Sequence, residues 1–138
     1  IRSLKKYDSD NRRKLLAELE AMDDPKRAIA TFFDTLVAET IADPLKKGCF
    51  LINTASDPGA HGAQVNNIVR NGLREMQGFF RRSIEVAQAR KQVPATLDPD
   101  ATAQGLMAMV VAIRVLGRGM FDEASLKTIA AQAQRLLN

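Results

Sequence analysis

From Gly105 to Ile113 the chain carries no polar side chain, and Arg114 is the only interruption before Val115-Leu116-Gly117. A helix that is apolar on every side has no face to give to water, so a core or a membrane must cover it. The run is too short for a bilayer, which needs roughly 20 apolar residues, and Arg114 and Arg118 close it. The chain has 138 residues, enough for one domain with a real core and too few for two comfortable ones, so 1–138 is read as a single domain. In so small a chain, a helix covered on all sides is read as borrowing a second subunit. Asp98 is a preferred N-cap, and Pro99 fits the first helical position, where its missing N–H would be unpaired anyway. A last helix begins at Asp122, with Phe121 and Leu126 spaced for a hydrophobic staple. Leu126, Ile129, Ala130, Ala133 and Leu137 then form one stripe, with Leu136 beside it. The surface offered to the second copy is read as Gly105, Met109, Ala112, Ile113 and Leu116 from the first of these helices and Ile129, Ala133 and Leu136 from the second.

The rest of the chain is also helical by pattern. Ile1 to Met22 is charged, with Leu4 and Tyr7 on one face and Leu15, Leu16, Leu19 and Met22 continuing it. The patch Asp8-Ser9-Asp10-Asn11 is a point where one helix can end and another begin, because these residues favour caps over helix interiors. Lys5, Lys6, Arg12, Arg13 and Lys14 read either as a solvated face or as a surface near a phosphate backbone; no aromatics interleave them as in a single-strand binder. Asp24-Pro25 repeats the cap-plus-proline start, and Ala28, Ile29, Phe32, Phe33, Leu36, Val37 and Ile41 fall on one side. Asp43-Pro44 ends that helix, since the residue before proline is pushed out of the α region. Gly48 to Ala55 is a short apolar run that periodicity assigns equally to strand or helix; no second strand exists to pair with it, so it reads as a short helix. Ser56-Asp57-Pro58-Gly59 is a turn. The longest helix runs from His61 to about Gln92, about 45 Å, with Val65, Ile68, Val69, Leu73, Met76, Phe79, Phe80, Ile84 and Ala87 on one face and Arg70, Arg74, Arg81, Arg82 and Arg90 on the other. Gly72 and Gly78 within it mark close packing or a bend, and Val93-Pro94 stops it. The fold expected is all-α, an antiparallel bundle of about five to six helices, the last two forming a four-helix bundle with those of the second copy.

Composition excludes more than it selects. Net charge is +4, mild enough to permit an acidic partner without calling for one. A single cysteine rules out an intrachain disulfide and favours a reducing cytoplasm. Neither a signal peptide nor a transmembrane run is present. Ile1-Arg2-Ser3-Leu4 reads as the middle of a helix with no cap, as in a fragment lacking its N-terminal part.

In its helix order the chain resembles the C-terminal ligand-binding and dimerisation domain of TetR-family transcriptional regulators. Ser3-Leu4-Lys5-Lys6-Tyr7-Asp8 is similar to the end of the helix leading out of that family's DNA-binding domain. Lys47-Gly48-Cys49-Phe50-Leu51-Ile52-Asn53-Thr54-Ala55 is similar to the Gly-Cys-apolar opening of its sixth helix in one branch. Leu97-Asp98-Pro99-Asp100-Ala101, followed by an apolar and then an amphipathic helix, is similar to its dimerising pair. The helix-turn-helix domain that would precede residue 1 is missing, so DNA contact would belong to that part alone. The resemblance implies a homodimeric one-component repressor. A small molecule enters the helical domain, the Ile1–Met22 helix shifts, and two DNA-binding heads change their separation from half-sites about one turn apart.

A greasy ligand suits phenylalanine and methionine walls. Phe33, Leu36, Phe50, Asn53, Met76, Phe80, Met107 and Val111 are the candidate lining, with Asn53 as the orienting polar group; the plainer alternative is that these side chains are simply core. Cys49 joins the ligand set with two readings of its own. After Gly48, near a helix start and Lys46 and Lys47, it suits an oxidant or electrophile sensor; a small buried apolar side chain is the other. His61, the only histidine, has no partner at metal spacing, so no metal site is expected. One histidine and one cysteine near turns make no catalytic triad. Asp57 and Asp122 read as turn and cap residues, and Asp57-Pro58-Gly59 lacks the ending of a phosphate loop. No cofactor and no enzymatic role are expected. A helical protein–protein interaction domain without a pocket is the competing class.

Overall fold

The computed structural model describes the backbone over 2–43 and 62–138 and the side chains over 10–43, 62 and 67–138. Among the described residues the regular structure is five α-helices: α1 (Arg2–Glu20), α2 (Pro25–Ala42), α3 (Ala63–Ala89), α4 (Pro99–Leu116) and α5 (Glu123–Arg135). There is no strand among the described residues. The short helix expected at Gly48–Ala55 and the turn after it lie outside them.

The helix starts are set by local chemistry. The Asp24 carboxylate accepts from the amides of Lys26 and Arg27 with Pro25 at the first position, and Asp98 accepts from Asp100 and Ala101 with Pro99 following it. Asp122 caps α5 through the Ser125 amide at 2.8 Å. Each bond satisfies amides that the first helical turn leaves unpaired. One expectation fails here: α1 runs unbroken through Asp8-Ser9-Asp10-Asn11. Cap-favouring residues lower helix propensity by only tenths of a kcal/mol each, and neither proline nor glycine is there to stop the helix.

The side-chain contacts fix the directions. Arg13 meets Glu75 and Arg82 meets Glu20, so α1 and α3 run parallel. Phe32 stacks on Phe79 while Ala28 shares a cleft with Ser83 and Val86, so α2 and α3 are antiparallel. Lys26 reaches Asn138, and a Cβ on Gly105 would lie 3.2 Å from the Leu136 side chain, which sets α5 antiparallel to both α2 and α4. Consecutive helices thus alternate in direction, and α2 touches all four others.

That central position explains the core. Phe32 and Phe33 of α2 interlock with Phe79 and Phe80 of α3, with ring centroids 5.0 Å apart for Phe32 and Phe80 and 5.7 Å for the stacked Phe33 and Phe80. Leu106, Val110 and Ile113 of α4 and Leu126, Ala130 and Ala133 of α5 close over them. At Gly117 the chain passes so near α2 that a Cβ would sit 2.1 Å from Thr40 Cγ2. Gly78 marks no such approach: a Cβ there meets only the Arg82 guanidinium. At the staple expected before α5, Leu126 is fully buried while Phe121 keeps 41% exposure.

Candidate functional site

The apolar run that constrains the sequence turns out to be covered on one side only. Leu106, Val110 and Ile113, spaced by whole turns of α4, are buried against the rest of the chain. Ala108 is exposed, Val111 is 38% exposed, and Ala112 and Val115 are half-buried. On α5 the neighbouring stripe of Ser125, Ile129 and Leu136 is half-buried. Met120 and Phe121, at the turn between the two helices, are exposed at 75% and 41%. One flank of the α4–α5 hairpin is therefore apolar and partly or fully exposed, with nothing matched to it among the described residues.

The residues expected on a dimer surface divide accordingly. Met109, Ala112, Leu116, Ile129 and Leu136 keep partial exposure. Ile113 and Ala133 do not: both are 0% exposed and have no surface to give to a partner, because they share the inward faces of Val110 and Ala130. Gly105 is half-exposed, and its bare backbone admits Leu136 of its own chain. Ala108, Val111 and Val115 are the outward residues that sequence reasoning missed. The run from 105 to 113 has no polar residue of its own to orient it; the one signal lay just before it, where exposed Gln104 stands one turn from Ala108 and two from Val111.

The residues expected to line a pocket also separate. Phe33, Leu36, Met76 and Phe80 all belong to the buried core, 1, 5, 6 and 0% exposed, and Met107 packs half-buried against that core. Val111 is the correction: it lies on the outer flank of α4, one residue past the buried Val110. Cys49, Phe50 and Asn53 lie outside the described residues, as does His61. Among the described residues no three metal-ligating side chains stand together.

A second cluster joins the end of α1 to α3. Arg12 and Arg13 both approach Glu75, at 3.6 Å and 3.3 Å. Among the described residues of the basic run Arg12 is the exception, its side chain only 11% exposed. Arg82 holds Glu20 through Nε at 3.1 Å and through Nη2, and Arg90 donates to the main-chain carbonyl of Asp23. A cleft of about 290 Å³ opens beside these groups, lined by Leu19, Met22, Pro25, Ala28, Ser83 and Val86. At the opposite end of α2, Arg114 donates to Glu39 at 3.0 Å and to the Thr40 hydroxyl at 3.3 Å. The arginine that interrupts the apolar helix is thereby tied to α2. No helix of the described residues is long and apolar enough to cross a membrane.

The model of the tetracyclin repressor-like C-terminal domain matches residues 25–133, and the chain belongs to that family. A crystal structure of a TetR transcriptional regulator from Chloroflexus aurantiacus superposes with a TM-score of 0.80 at 21% identity, over 95% of this chain and 67% of that one. No curated protein matches the sequence.

Proposed function

We propose that residues 1–138 act as one effector-sensing and dimerising module of a one-component transcriptional repressor in the cytoplasm, without enzymatic activity. The observation that carries this reading is the bare apolar flank of the α4–α5 hairpin. Exposed Ala108 and Val111 and half-buried Ile129 and Leu136 lie along it, as a self-complementary two-fold contact requires. The effector is a small, largely apolar molecule. Its proposed lining is Phe33, Leu36, Cys49, Phe50, Asn53, Met76, Phe80 and Met107, supported by the grouping of the four described aromatic and aliphatic side chains with Met107. DNA contact belongs to an N-terminal part joined through α1. The effector changes DNA binding only if it binds the two conformations unequally.

Sedimentation velocity on the full chain tests the dimer: a species of twice the chain mass at micromolar concentration is expected, and a monomer overturns it. A thermal-shift screen with flat apolar compounds tests the sensor, because a ligand that binds only the native state raises the unfolding temperature.

A further inference from the structure

We propose that the cleft between the end of α1, the start of α2 and the last turns of α3 binds a small carboxylate-bearing amphiphile, Arg90 receiving the carboxylate and Leu19, Met22, Ala28 and Val86 the hydrocarbon tail. The site is distinct from the interior lining and does not rest on the dimer.

Its walls have the two chemistries such a molecule needs. The cleft holds about 290 Å³, near the lower end of ligand sites, which begin at roughly 300 Å³ and at that size suit a short chain. Val86 is 42% exposed and is the one large apolar side chain exposed on α3 among the described residues. Arg82 and Arg90 stand four residues on either side of it, so they share its helical face. The wall therefore presents cation, apolar patch, cation in succession.

The charges around the cleft do not balance. Its lining has two guanidinium groups and one carboxylate. Glu20 is committed to Arg82, while Arg90 has only the neutral carbonyl of Asp23 and pairs with no carboxylate among the described residues. A guanidinium and a carboxylate can make two parallel bonds between full charges, against the single bond to the neutral Asp23 carbonyl, so an anionic head group competes with the carbonyl for Arg90. The bond it displaces ties the α1–α2 turn to α3, so occupancy loosens the end of α1 from the helix beside it.

The test is calorimetric titration of the full chain with octanoate, alongside acetate, which keeps the head, and octanol, which keeps the tail. Saturable octanoate binding is expected, with acetate and octanol far weaker. Both Arg90→Gln and Val86→Asp, two exposed positions, are expected to weaken octanoate by about tenfold or more while circular dichroism stays unchanged. The proposal is overturned if octanoate does not saturate, if octanol binds as tightly, or if both variants bind octanoate like the parent. That last result places the fatty chain in the interior, leaving the sensor reading intact and removing this site.

Discussion

Lys91 is the one described residue other than glycine with positive φ, at 60°. It stands where α3 ends in a Schellman turn. The Gln92 amide reaches back to the Ala87 carbonyl at 2.8 Å and the Lys91 amide to Gln88 at 3.0 Å, a geometry that glycine usually provides. An L-residue there carries a steric cost of about 1–2 kcal/mol. Lys91→Gly is therefore expected to stabilise the protein by about 1 kcal/mol, read as a higher urea midpoint with an unchanged slope. Asp122 is a residue-scale case of a different kind. The amide and then the hydroxyl of Ser125 hold its carboxyl below the ordinary carboxylate range. A group whose value falls on folding adds stability above its unfolded value, and that contribution is lost as acid carries the pH down through the folded one. Asp122→Asn keeps a capping side chain but no longer titrates there. The difference in thermal midpoint between parent and variant is expected to shrink as pH falls through the carboxylate range. Both caps at Asp24 and Asp98, like this one, were legible as Asp-led helix starts, because capping depends on a few neighbouring residues. The Lys91 turn was not, because nothing in a lysine announces positive φ.

Among the elements, α2 and α4 are locked where Gly117 passes Thr40. A methyl group at Gly117 would fall 2.1 Å from Thr40 Cγ2 and 2.7 Å from the Ile113 carbonyl, and the backbone contact cannot swing aside. Gly117→Ala is expected to cost about 1–3 kcal/mol, the usual range for overpacking. Adding Thr40→Ser, which removes the nearer methyl, is expected to return part of that loss; chemical denaturation of the two variants checks both. The periodic stripes of α2, α3 and α5 were readable because each has a wet face that defines a dry one. The Asp8-Ser9-Asp10-Asn11 break misled because propensity is weak beside the continuity of a long helix. Burial of Thr40, at 3% exposure, was also not readable. Its hydroxyl is satisfied by the Leu36 carbonyl at 2.7 Å and by Arg114, a partner 74 residues away.

For the whole molecule, the proposed dimer depends on the flank around Val111. Val111→Glu leaves the chain's own core untouched, since the residue is already 38% exposed, but would bury a charge without a partner in a two-fold contact. Folding by circular dichroism is expected to be unchanged while sedimentation shifts from dimer to monomer. An equal fraction of dimer in the variant moves the interface elsewhere.

The sequence alone determined that the chain is helical, where most helices begin and end, and which stripe of each amphipathic helix turns inward. Caps, prolines and a period of 3.6 residues act over a turn or two, and these residues spell them out. The tertiary structure decided what that range cannot reach. It put Ile113 and Ala133 inside, left Ala108 and Val111 bare on a stretch of α4 with no polar residue of its own, and gathered Glu20 of α1 with Val86 and Arg90 at the end of α3 around one cleft. Which side of an all-apolar helix is covered depends on the helices packed against it, and only the folded chain supplies them.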